Sequence, residues 1–277
     1  MSYVDVGTHR LWVTEKGRGS PVVLLHPLFL DSRVFERVAG DLVEEHRVLA
    51  VDVRDHGRSQ GPPRSWTLRE AAGEVEQAVR ELEGRPAHVV GLSMGGMIGL
   101  RWALAHPDSV RSLALLSTSA DEEPHAWLHQ AMAEMVRVGG WPATQLLLPY
   151  ATRRMFSEAT QDSAEADVWR QRIAAMDPGA LHRAGQAVFG RDAIVDRVGS
   201  IQAPALVGVA EQDEAVPPDH GRRLAEALPE AELAELPARG HLLPVEAPQA
   251  LSEALVHFLR RAEARTTAGG AAGEGSG

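Results

Sequence analysis

Apolar and polar positions follow two different rhythms along this chain. Positions 3–6 and 11–14 alternate and read as an antiparallel hairpin, followed by the turn-forming run Gly17-Arg18-Gly19-Ser20-Pro21. A continuous apolar run at 22–25 then predicts a strand buried on both faces, and a helix is expected over about 33–45 with Asp31 or Ser32 as its cap. The alternation continues with a strand at 48–53, a helix at 67–83 and a strand at 88–92. A helix at 94–105, stopped by His106-Pro107, and a strand at 110–116 follow. From about 119 to 200 no strand pattern occurs; this stretch reads as helical and carries large apolar residues such as Trp127, Met132, Trp141 and Phe156. The rhythm resumes with a strand at 205–210, a helix at 219–228, a strand at 232–236 and a last helix at 248–264.

Repeated βα units with apolar strands imply an α/β fold: an eight-stranded, mostly parallel sheet covered by helices on both faces. Right-handed crossovers leave few topologies for it. The expected organisation is a core from 1–118 and 201–264, a helical cap inserted over 119–200, and a disordered tail over 265–277. The closing run TTAGGAAGEGSG has nothing to bury.

Composition narrows the chemistry by exclusion. At 277 residues, 44% hydrophobic and 24% charged, the chain has the make-up of a globular enzyme rather than a disordered polymer. No apolar run approaches the roughly 20 residues a membrane span needs, and the start MSYVDVGTHR lacks the basic and apolar regions of a signal peptide. A cytoplasmic protein with no membrane partner is therefore expected. The net charge of −10 offers no footprint for nucleic acid. Without cysteine there is no disulfide, thiolate metal site or cysteine nucleophile. The single lysine, Lys16, precedes Gly17 instead of following a glycine-rich loop, which argues against a Walker-type phosphate site and a Schiff-base enzyme.

The stretch HVVGLSMGGMIGLRWALAHP holds the most informative motif. Gly91-Leu92-Ser93-Met94-Gly95 fits G-x-S-x-G and falls where a predicted strand becomes a predicted helix. Glycines on both sides of the serine let helix and strand approach closely enough for a sharp turn that exposes the hydroxyl. The alternative is a serine that merely caps the helix. A serine nucleophile needs a base and a carboxylate to orient that base, in the chain order Ser, Asp or Glu, His. Asp213 lies just past the strand at 205–210 and His241 in the loop after the strand at 232–236, both at carboxyl ends of strands. Asp213 can also be read as an Asx turn before Val216-Pro217, and Asp121, past the preceding strand, is a rival acid.

With VVLLHPLFLDS, VDVRDHGRS, GLSMGGM, ALVGVAEQDEAVP and ARGHLLPVEAP, nearly the whole chain outside the tail resembles the α/β-hydrolase superfamily. Within it, GLSMGGMIGL, RRMFSEA and MDPGALHRAGQAVFGRD look like the group that opens 3-oxoadipate enol-lactone. This resemblance implies Ser93 as nucleophile, His241 as general base then acid, and Asp213 as the orienting carboxylate. It further implies an oxyanion hole from the backbone N–H groups of Leu28 and Met94, and it calls for no metal or cofactor. Phe29, Trp127, Met132, Trp141, Phe156 and Leu242 are expected to line the substrate pocket. The chain departs from the family pattern at His26-Pro27-Leu28-Phe29 and at Asp55, which stands where the superfamily usually has glycine.

The expected reaction is cleavage of a small carboxylic ester or lactone by a monomer or small homo-oligomer. A cofactor-free haloperoxidase or perhydrolase, a carbon–carbon bond hydrolase and a non-catalytic binding protein are the alternatives. His125 and His129, four apart on a helix, have metal-ligand spacing, but Ala126 replaces the glutamate of H-E-x-x-H and no third ligand presents itself. Arg137, Arg153 and Arg154 are candidate clamps for a substrate carboxylate, against the ordinary reading of solvated helix arginines.

Overall fold

The computed structural model describes residues 1–273, with side chains to residue 265. Eight strands form one sheet: β1 Ser2–Asp5, β2 Arg10–Lys16, β3 Ser20–Leu25, β4 His46–Asp52, β5 Ala87–Leu92, β6 Val110–Leu116, β7 Ala205–Ala210 and β8 Ala231–Leu236. Their spatial order is β1-β2-β4-β3-β5-β6-β7-β8. β2 pairs antiparallel with β1 and with β4, and every other pairing is parallel. The chain therefore has the eight-stranded, mostly parallel α/β architecture its apolar runs predict.

The apolar runs fold as central strands because both their faces are covered. Along β3, Val23 and Leu25 join one core while Val22 and Leu24 join the other, and all four are fully buried. The first core packs under α2 (Leu68–Glu83) and α3 (Met94–Ala105), the second under α1 (Glu36–Leu42) and α9 (Pro248–Gly273). Truncating one of these strand leucines to alanine would cost about 2–5 kcal/mol, a large part of a domain's stability. At α2, the Thr67 hydroxyl accepts from the Glu70 N–H and the Glu70 carboxylate accepts from the Thr67 N–H, which closes a capping box.

The expected helix over 33–45 is shorter and divided. Asp31 accepts from the Arg33 N–H and starts a 3-10 turn, Ser32–Phe35, before α1 begins at Glu36. Between β6 and β7 the elements are helical: α4 (Ala126–Met155), α5 (Ala164–Ala174) and α6 (Pro178–Phe189). α4 contains Pro142 and Pro149 and breaks at Gly140, whose φ of 59° no regular helix accommodates. α7 (Pro218–Ala227) follows β7, and α8 (Leu243–Glu246) separates β8 from α9. α9 extends into the expected tail, whose last residues, 274–277, lie outside the described residues. Among the described residues no helix is long and apolar enough to cross a membrane.

Candidate functional site

Ser93 sits between the last residue of β5 and the first of α3, at φ 53° and ψ −114°. A non-glycine residue in such a conformation is strained and persists only where its surroundings impose it. Here close packing imposes it. A Cβ on Gly91 would lie 2.5 Å from the Gly96 nitrogen, and one on Gly95 would overlap the Leu25 carbonyl oxygen. Only glycine at both positions lets α3 rest against β5 and β3, and that contact forces the turn at the serine between them. Main-chain bonds lock it further: the Ser93 N–H donates to the Leu116 carbonyl at 2.8 Å, and the Thr118 hydroxyl donates to the Ser93 carbonyl at 2.7 Å. The Ser93 side chain makes no capping bond to α3, which removes the reading of a helix-capping serine.

His241 is buried in the loop after β8, and its Nδ1 lies 2.8 Å from Asp213 Oδ2. Asp213 is also the Asx turn: its Oδ1 accepts from the N–H groups of Ala215 and Val216 at 2.8 and 2.9 Å. One carboxylate thus serves both sequence readings, with one oxygen fixed by the backbone and the other offered to the histidine. An ionised carboxylate has only acceptors, so Nδ1 carries the proton and the ring's basic nitrogen is Nε2. The loop itself is held by a bond from the His241 N–H to the Met155 carbonyl at the end of α4.

The rival acid belongs to another histidine. Asp121 Oδ2 lies 2.6 Å from His220 Nδ1 and also accepts from Ser119 and Arg223. Burial would raise the pKa of Asp121, but these bonds outweigh it and hold the carboxylate below its ordinary value.

The loop after β3 turns on His26, a fully buried residue. Its Nε2 accepts the Val53 N–H at 2.9 Å, which leaves Nδ1 to donate to the Pro27 carbonyl at 2.8 Å. Burial pushes the His26 pKa down, so the ring stays neutral and keeps that tautomer. Phe29 follows at φ 65°, a second non-glycine residue in the left-handed region. Proline at 27 costs the loop no bond that this structure uses, because its carbonyl, not its nitrogen, is the engaged group. Arg54, also fully buried, pairs with Glu74 Oε1 at 2.5 Å, and burial pushes that carboxylate's pKa up to about 7.

Ser93, His241, Pro27, Leu28, Phe29 and Met132 all open on one cavity of about 320 Å³ between the carboxyl ends of the strands and the inserted helices. Met94 lies directly after Ser93 as the first residue of α3, with its side chain in the core. Four of the residues expected in the pocket are elsewhere. Trp127 and Trp141 are 74% and 46% exposed, because α4 turns those positions outward. Phe156 and Leu242 are buried in the second core instead of lining the cavity. Of the arginines considered, Arg154 reaches the cavity, while Arg137 is exposed and paired with Glu134.

Sequence reasoning missed a polar network in the cavity wall. Glu123 accepts from His129 and from Arg191, both at 3.0 Å, and the far nitrogen of His129 lies 3.2 Å from the Tyr150 hydroxyl. Burial opposes ionisation of Glu123, but these partners pull its pKa down to about 2. Its members are spread from 123 to 191, so local spacing carries no signal for it. His129 is therefore a bonded wall residue, and among the described residues no group of three His, Asp or Glu side chains is placed to hold a metal ion.

A sequence profile for the alpha/beta hydrolase fold matches residues 20–248. Over 237 residues the chain is 35% identical to the pimeloyl-[acyl-carrier protein] methyl ester esterase of Chromobacterium violaceum, spanning 83% of this chain and 91% of that one. Its structure is similar to a thermophilic esterase from Thermogutta terrifontis, with TM-score 0.86 and 26% identity over 94% of this chain and 98% of that one. It is similar too to the enol-lactonase from Burkholderia xenovorans LB400, with TM-score 0.86 and 27% identity over 94% of this chain and 100% of that one.

Proposed function

The chain belongs to the α/β-hydrolase fold family, and within it we propose a serine hydrolase that cleaves a carboxylic ester or lactone through an acyl-enzyme on Ser93. One observation carries this reading. A serine held in a strained strand-to-helix turn, and not used as a cap, opens on the same cavity as a histidine whose Nδ1 is bound to a carboxylate. An esterase and an enol-lactonase among the similar structures, and an esterase among the relatives, are in keeping with it.

In the first half-reaction Ser93 Oγ attacks the carbonyl carbon while His241 Nε2 takes its proton. The C=O electron pair moves onto oxygen, and the N–H groups of Leu28 and Met94 receive the oxyanion, Met94 adding the positive end of α3. The imidazolium, stabilised by Asp213, returns the proton to the leaving alkoxide oxygen as the C–O bond breaks. Water then repeats the sequence on the acyl-enzyme, losing its proton to His241 and releasing the acid and Ser93. The inserted helices act as a cap over this site, and walls such as Val136, Leu148, Leu181 and Val188 suit an apolar acyl group.

The test is turnover of p-nitrophenyl esters and of neutral and acidic lactones by the parent and by Ser93→Ala. Hydrolysis by the parent and none above background by the variant are expected. Equal rates for the two would refute it.

A further inference from the structure

Asp55 is one of the two places where the chain departs from the superfamily pattern, and nothing in the catalytic cycle uses it. It stands at φ 65°, a conformation glycine adopts freely and a side chain adopts at a cost. Its carboxylate is 2% exposed and fully engaged. Oδ2 accepts from Trp66 Nε1 at 2.8 Å and from Arg183 Nε at 2.9 Å, and Oδ1 accepts from the other Arg183 arm at 2.7 Å. A two-pronged pair of this kind fixes orientation as well as distance.

Arg183 lies on α6, 128 residues away in sequence. The same helix supplies Leu181, Val188 and Phe189 to the cavity wall, and its Gly185 meets Ala133 of α4, where an added Cβ would come within 3.2 Å. α6 is therefore held between α4 on one side and the loop after β4 on the other, and its apolar residues face the space next to Ser93. A side chain that accepts backbone strain in order to grip a helix of the cavity wall has a task there.

We propose that Asp55 is a positioning residue that, through Arg183, fixes the α6 wall of the cavity and so sets the enzyme's preference for esters with extended apolar acyl groups. This rests on the serine-hydrolase reading. A short acyl group stays at Ser93 and makes little use of α6, whereas a longer chain packs against Leu181, Val188 and Phe189. Releasing the clamp removes part of that packing, and the loss of one methylene's worth of contact corresponds to about a fourfold to tenfold weaker grip.

The experiment compares p-nitrophenyl acetate with p-nitrophenyl octanoate for the parent, Asp55→Gly, Asp55→Asn, Arg183→Met and the double variant Asp55→Gly/Arg183→Met. Amide hydrogen exchange of 178–189 is followed in the same proteins. Glycine is the residue best suited to φ 65°, and asparagine preserves the shape of the side chain, so the pair can be broken in two ways. The expected result is a KM for octanoate raised at least about fourfold with kcat nearly unchanged, acetate kinetics within about twofold of the parent, and faster exchange in α6. In ester preference the double variant should match the single ones, because each of them removes the same Asp55–Arg183 pair. An unchanged preference in folded variants, equal losses on both esters, or unchanged exchange in α6 overturns the proposal. The exchange measurement does not depend on turnover, so a parent inactive on both esters counts against ester hydrolysis while α6 exchange still decides whether the clamp exists.

Discussion

Replacing Asp213 with asparagine gives a prediction whose size follows from the hydrogen bonds around that residue. Oδ1 receives two backbone N–H groups and Oδ2 faces His241 Nδ1. An asparagine has one oxygen to offer. If that oxygen turned to His241, the N–H groups of Ala215 and Val216 would lose their acceptor and face an NH₂ group, at about 1–3 kcal/mol each. Keeping both bonds puts the NH₂ where Oδ2 was, opposite Nδ1. His241 then has to accept at Nδ1 and carry its proton on Nε2, a change of tautomer that costs the neutral ring little. In that state Nε2 cannot take the proton of Ser93, and no carboxylate remains to stabilise the imidazolium. The equivalent change in other serine triads lowers kcat by about four orders of magnitude, which is about 5.5 kcal/mol of transition-state stabilisation. Asp213→Asn should therefore lose about 10⁴ in kcat on a p-nitrophenyl ester, with little change in melting temperature and a ¹⁵N spectrum of His241 showing the proton on Nε2. A variant within tenfold of the parent, or an inactive one with the proton still on Nδ1, would refute this role of Asp213.

Other perturbations follow from the same geometry. Leu28→Pro should lower kcat by about 100-fold through loss of an oxyanion donor, while Pro27→Gly, one residue away, should stay within a few-fold of the parent; steady-state kinetics of the pair checks this. Gly95→Ala places a Cβ against the Leu25 carbonyl, so α3 must shift; about 1–3 kcal/mol of stability and on the order of 100-fold in turnover should be lost, measured by denaturant melts and ester kinetics. Burial pushes the pKa of His88, beside Arg111, and that of His56, beside His26, down to about 3. In the unfolded chain both have a pKa near 6.5, so the unfolded state binds more protons as the pH falls below that value. Their contribution is fully present above pH ~6.5 and is lost between there and about pH 3, by as much as about 1.4 kcal/mol per pH unit for each ring. Urea melts at pH 7 and pH 5 should show that fall, and His88→Gln should flatten it.

What the sequence revealed of the fold and the site follows from how local each signal is. The strands β3, β5, β6 and β7 are legible because burial on both faces demands unbroken apolar runs. The turn at Ser93 is legible because the close approach of α3 demands glycine at 91 and 95. Asp213 and His241 stand out by their position after strands, although their 2.8 Å pairing is a property of the fold. The pocket walls were harder to read. α4 has large apolar residues all around it and a break at Gly140, so its pattern names no inward face, and Trp127 and Trp141 point outward. The Glu123–His129–Arg191 network and the grip of Arg183 on Asp55 join residues far apart in sequence, and no local spacing encodes such pairs.

The proposed hydrolase stands or falls with Ser93 as a nucleophile that depends on His241 for its reactivity. The most direct measurement is labelling of the intact protein with a fluorophosphonate at neutral pH, followed by mass spectrometry of the peptide that carries residue 93. A single adduct on Ser93 is expected, formed quickly in the parent, at least about a thousandfold more slowly in His241→Ala, and absent in Ser93→Ala. An unlabelled Ser93 in an active protein, or labelling of Ser93 at the same rate without His241, would contradict it.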